Sequence, residues 1–211
     1  MMMNFEEVVH HYWRKALRTI KEDPKELEHD REAIKAVTDT NTERSTRQKD
    51  LRAWFHYYRV FQGLTRAQRD EITEAVLVWS DARDPRRDLT TPEALAEAHA
   101  ELMKVVCQAY GKNRDFTSLA SKALWLCYPH SVPIYDRNVR NTLHIIGKIE
   151  DGITTISEKS PEYAQFVHVW KQLYARHEGT IENLDVGTYP YRVRVFDRVL
   201  LLIGQPTYRV G

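Results

Sequence analysis

The sequence predicts an all-α fold: a compact helical protein with one sizeable core or two small lobes sharing a groove. Three observations carry that prediction. Apolar residues recur at helical spacing almost throughout the chain. The breaks between periodic stretches carry helix punctuation, as at Asp23-Pro24, Thr91-Pro92, Gly111 and Gly204. No convincing pair of alternating strands is present, although Arg192–Phe196 also reads as a short one. At 211 residues the chain suits one domain, 1–211, with lobes at 1–90 and 91–211.

Phe5–Glu22 places Val8, Tyr12, Leu17 and Ile20 near one face and stops at Asp23-Pro24. Lys25–Val37 is a weaker helix, and Thr38–Thr46 is polar and Thr-rich, hence a loop. Lys49–Gln62 is aromatic and helical, ending at Gly63. Thr65 caps the next helix, with Gln68 at the capping-box position, and that helix runs to Trp79. Thr91-Pro92-Glu93 opens a helix that runs to Tyr110 and stops at Gly111. A polar hairpin, 112–117, leads into helices at 118–127 and 136–146, the second stopped by Gly147. Lys148–Ser160 is irregular. Helices at 161–177 and Val193–Ile203 complete the chain.

Composition narrows the function classes. The formal net charge is +1, so any nucleic-acid surface must come from local clustering. There is no long apolar run and no signal-peptide pattern, so a cytoplasmic protein without membrane contact is expected. Cys107 and Cys127 are too few for an iron–sulfur cluster and read as buried free thiols. No paired-His spacing is present, so neither a metal site nor a cofactor is expected.

Chemistry concentrates in Asp115–Leu143, DFTSLASKALWLCYPHSVPIYDRNVRNTL. Lys122 is the only charge between Thr117 and Tyr128 and sits among Ala120, Ala123, Leu124, Leu126 and Cys127. It reads as a surface or phosphate-contacting lysine. It reads equally as an amine whose partial burial lowers its pKa and frees its lone pair for attack on a sugar C1′. Asp136 reads as a helix N-cap. A capping carboxylate is also rigidly held and favoured in its ionised form, so it would stabilise an oxocarbenium-like transition state.

Around this pair, Ser118 and Ser121 donate to phosphate or cap a helix. Arg137, Asn138 and Arg140 stand at a helix start, suited to phosphate contacts or forming a solvated polar face. Trp125 and Tyr135 flank the pair and are candidates to hold an extruded base. Trp54 and Tyr58 lie in the densest aromatic–basic stretch, where core packing competes with that role. Arg47 and Arg52, with Arg44 and Lys49, would follow a phosphate strand.

The segment resembles the helix–hairpin–helix DNA glycosylase superfamily, in its 8-oxoguanine-glycosylase-like branch, over about 30 of the 211 residues. Thr117-Ser118-Leu119-Ala120-Ser121-Lys122 stands where that family's glycine-bearing hairpin ends, and Val132-Pro133-Ile134-Tyr135-Asp136 where its V-P-x-D turn falls. Here Ser118 and Ala120 replace the hairpin glycines, two residues separate Pro133 from Asp136, and the lysine-to-aspartate spacing is shorter than the family's. The resemblance implies a monomeric enzyme on double-stranded DNA, with Lys122 as Schiff-base lysine and Asp136 as catalytic aspartate. It implies excision of an oxidised purine, leaving an abasic site, with a further lyase step where the Schiff base forms. A bulky modified cytosine, as in phage genomes, is the second candidate base, and the divergent hairpin suggests antiphage defence. Asp197, in an R-x-x-D pattern with Arg194, is expected to pair with an arginine. The competing expectation is a non-catalytic helical DNA-binding or protein-interaction module.

Overall fold

The structure, a computed structural model, describes residues 5–22, 24–112, 114–149, 152–155, 157, 159–187 and 189–204. The described residues form ten helices and no strand. They are α1 (Phe5–Glu22), α2 (Pro24–Thr38), α3 (Arg44–Tyr57), α4 (Arg66–Ala82), α5 (Pro92–Tyr110), α6 (Thr117–Cys127), α7 (Arg137–Ile149), α8 (Glu162–Arg176), α9 (Glu178–Asn183) and α10 (Arg192–Gly204).

The helix ends follow the expected chemistry where a side chain can satisfy an orphan amide. Thr65 and Gln68 form a reciprocal capping box, and Thr91 accepts from the Ala94 amide. Gly111 takes the left-handed conformation that closes α5, at φ 76°. Elsewhere the boundaries move. The polar stretch read as a loop, Thr38–Thr46, already enters α3 at Arg44. Residues 39–43 are the expected loop; Arg44 and Arg47 form a helix face that ion-pairs with Glu74 and Asp81 of α4, so the polarity at 44–46 belongs to a helix contact. α4 continues past Trp79 to Ala82. α7 runs through Gly147 to Ile149. Gly179 lies inside the extra helix α9, and Arg192–Phe196 is helical, not a strand.

α6 is the central helix, packed on α5 and α2. Ten of its eleven residues are buried, Lys122 among them, so this helix has no solvated face. α10 packs on α1 and α7, and α8 packs on α5 and α7. Among the described residues no helix is long and apolar enough to cross a membrane. Cys127 is buried, as expected. Cys107 is only half-buried, at the C-terminal end of α5, and its thiol faces the Arg114 carbonyl at 3.5 Å.

A buried polar knot joins the elements around α6. Asp30, fully buried on α2, accepts from Trp54 Nε1 at 2.7 Å, Tyr58 Oη at 3.1 Å and Tyr189 Oη at 2.6 Å. Beside it Glu26 accepts from Arg198 at 2.5 Å and from Tyr58 Oη at 3.1 Å. The Arg194 guanidinium lies over the rings of Tyr58 and Trp125, 5.1 and 6.0 Å from their centroids. Burial raises the Asp30 carboxyl above its ordinary value, while the charge of Arg194 and the donated hydrogen bonds pull it down. Removing one member of such a set strands the others without water. Asp30→Ala is therefore expected to destabilise the protein by ~3–5 kcal/mol in denaturant unfolding, whereas loss of a surface contact alone would cost under ~1 kcal/mol.

Candidate active site

The α5–α6 link sets the first side of the site. Asp115 Oδ1 accepts from the Thr117 amide at 2.9 Å and so starts α6. That helix carries Lys122 inward to 6% exposure, where its Nζ donates to Ser118 Oγ at 2.7 Å, one turn back.

The second side is the extended turn Val132–Asp136, which is held at four points. The Ile134 amide donates to Asp197 Oδ2 at 2.8 Å, and the Tyr135 amide to Ser121 Oγ at 3.0 Å. Tyr163 Oη donates to the Pro133 carbonyl at 3.2 Å, and Tyr135 Oη to Glu162 at 2.6 Å. Asp136 follows as the cap of α7: its Oδ1 accepts from the Asn138 amide at 2.8 Å, and its carbonyl from the Arg140 amide at 2.8 Å.

Lys122 and Asp136 line the same two cavities. The outer one is an open cleft of about 350 Å³ between Tyr58–Gln62, the α5–α6 link and the start of α7. The inner one, about 150 Å³, adds Arg194, Asp197 and Arg198 from α10. Burial pushes the Lys122 amine down to about 8, helped by the charge of Arg194 and opposed by Asp136 and Asp197. About a tenth of such an amine is unprotonated at pH 7, several hundred times the fraction for an ordinary lysine. Burial pushes the Asp197 carboxyl up to about 7, against the Ile134 amide, the charge of Arg194 and the Trp170 indole.

The other candidates divide. Tyr58, Tyr135, Ser118 and Arg137 line the outer cleft. Trp54 and Trp125 are fully buried, stacked with centroids 6.0 Å apart, and line neither cavity. Ser121 is fully buried, and its hydroxyl ties α6 to the turn. Arg47 is buried and binds Asp81 and the Ala36 carbonyl; Arg52 binds Asp70 at 2.8 Å. Asn138 and Arg140 are exposed on α7, with Arg140 3.1 Å from Glu162.

Asp197 departs from the expected arginine pairing. Its two oxygens accept from Ile134 N and Trp170 Nε1, while Arg194 acts on it only through its charge. Asp197 and Arg194 are cleft residues that sequence reasoning had placed as structure alone. Their signal was an arginine and an aspartate three apart, on neighbouring positions of one face of a helix that is apolar in its second half. Arg59 and Arg114 also line the outer cleft and carried no motif.

Compared with family models, curated proteins and solved structures, the chain has no match.

Lys122 is costly to bury when protonated. Its folded pKa, about 8, lies below the ordinary 10.5, so the unfolded chain holds the proton more tightly between those values and stability rises with pH there. Below about pH 8 the whole penalty is present. Lys122→Met is expected to raise stability at pH 7 by up to ~3 kcal/mol. The difference from the parent should shrink to little above pH 10.5, as read by denaturant unfolding at each pH.

Proposed function

We propose that the chain is a DNA glycosylase that excises a modified base from double-stranded DNA. One observation supports this above the others: a buried amine with pKa near 8 lines the same cleft as a carboxylate fixed by its own helix cap. A protonated lysine cannot attack carbon; one held near 8 has free base available at neutral pH. A carboxylate pinned at a helix start needs no rearrangement to face developing positive charge.

In this reading the Lys122 lone pair attacks C1′ of an extruded nucleotide. The C1′–N bond breaks and its electron pair leaves with the base, which takes up a proton. The C1′–O4′ bond then opens, a proton moves from Nζ to O4′, and an iminium joins Nζ to C1′. Asp136 stabilises the positive charge on C1′ and O4′ while the base departs. Tyr58 and Tyr135, on the cleft wall, are the aromatic surfaces for the base. The base is an oxidised purine or a bulky modified cytosine, and excision from a panel of modified duplexes identifies which.

A non-catalytic DNA-binding module is the second reading. It is favoured by the bonds Lys122 Nζ and Asp136 Oδ1 already make, to Ser118 Oγ and the Asn138 amide, which a purely structural pair would also make.

Borohydride trapping on abasic-site duplex is expected to give a covalent adduct that Lys122→Ala abolishes. Asp136→Asn is expected to slow excision by about 10²- to 10³-fold. A parent protein that releases no base across the panel and forms no adduct sinks the glycosylase reading and leaves the binding module.

A further inference from the structure

Arg59 is the one non-glycine residue with left-handed backbone among the described residues, at φ 53°. The end of α3 imposes it. The Val60 amide donates to the Phe55 carbonyl and the Arg59 amide to the His56 carbonyl, each at 3.0 Å. That pair of bonds makes the helix ending in which glycine is the favoured residue, because a Cβ there is strained. An arginine stands at this position, and backbone strain held at the lip of a cleft points to a use for the side chain. The Arg59 side chain is exposed and makes no hydrogen bond or ion pair among the described residues.

Two more arginines share the cleft. Arg114 is held in place by its Nη2 bond to the Gln62 carbonyl, at 3.1 Å, and by the face of Phe116, 5.3 Å from its ring centroid. Arg137 stands on the opposite side, at the start of α7. With Lys122 these make four cations against two carboxylates, Asp115 and Asp136, in a chain whose formal net charge is only +1. Local excess of this kind attracts anions.

We propose that Arg59, Arg114 and Arg137 form a phosphate clamp at the mouth of the Lys122 cleft, which grips the backbone of a DNA strand. The inference rests on the reading of the cleft as a DNA site and extends it to the residues that hold the strand. Arg59 supplies one ionic contact and Arg114 braces the same lip. Each phosphate contact releases counterions, so its removal makes binding less sensitive to salt.

The test is fluorescence anisotropy with a duplex carrying a tetrahydrofuran abasic-site analogue, from 50 to 200 mM salt, on the parent, Arg59→Gly and Arg59→Lys. Arg59→Gly is expected to bind more weakly, with the slope of log K against log salt shallower by about 0.9. Over that salt range the parent then loses about 3.5-fold more affinity than the variant. The glycine relieves the backbone, so the same variant should melt no lower than the parent. Arg59→Lys should restore the slope. An Arg59→Gly protein with the parent's slope and affinity overturns the clamp, as does one whose weaker binding is matched by a lower melting temperature and an unchanged slope. The two readings fail separately. A Lys122 adduct alongside an unchanged slope sinks only the clamp. A changed slope without base release or adduct keeps the clamp and sinks the chemistry at Lys122.

Discussion

The site hangs on one buried carboxylate, Asp197. From α10 it takes the Ile134 amide with one oxygen and the Trp170 indole with the other, each at 2.8 Å. It thereby fixes the turn that delivers Asp136, and it ties that turn to α8 and α10 at once. Full burial makes the charge costly, and its pKa rises to about 7 as a result. Between the ordinary value of 3.8 and about 7 the folded state binds the proton more tightly, so stability falls as pH rises through that window. The fold tolerates this cost because a carboxylate accepts from two fixed donors at once, which no apolar residue of the same size could do.

The same tension runs through the whole centre of the molecule. Lys122, Arg194, Asp197 and Asp30 are all buried, in a core otherwise built of Trp54, Trp125, Phe166 and Leu200. A charged cluster in such a core is weak as a source of stability, since desolvation offsets the attraction between its members. Part of it earns its place structurally: Asp30 accepts from the buried Trp54 indole and Tyr189 hydroxyl, and shares the Tyr58 hydroxyl with Glu26. Lys122 has no comparable duty. Its one hydrogen bond, to Ser118, could be made by a hydroxyl, and its charge opposes that of Arg194. A residue that costs stability and closes no structural gap is where function and stability trade against each other.

How much of this was legible in the sequence follows from which signals are local. Caps and breakers are local, and Thr65 with Gln68, Thr91 with Pro92, and Gly111 all act where the chain places them. The start of α3 was hidden because Arg44 and Arg47 look solvated until Glu74 and Asp81 arrive from another helix. The apolar surroundings of Lys122 were visible in its neighbours on α6. Its convergence with Asp136 on one cleft depends on Asp197, far along the chain. Trp125 looked like a pocket residue because it adjoins Lys122 in sequence, but successive residues on a helix point in different directions, and it faces Trp54 in the core. Arg59 had no signal, since a left-handed arginine is set by backbone geometry that no residue pattern reveals.

The most direct measurement of the central claim is an NMR titration of the Lys122 ammonium, following its ¹³Cε and ¹⁵Nζ shifts from pH 6 to 11 and assigned with Lys122→Met. A midpoint near 8 is the predicted result, for an amine buried in the cleft beside Arg194. A midpoint near 10.5, the ordinary value, would mean a solvated ammonium and would contradict the account.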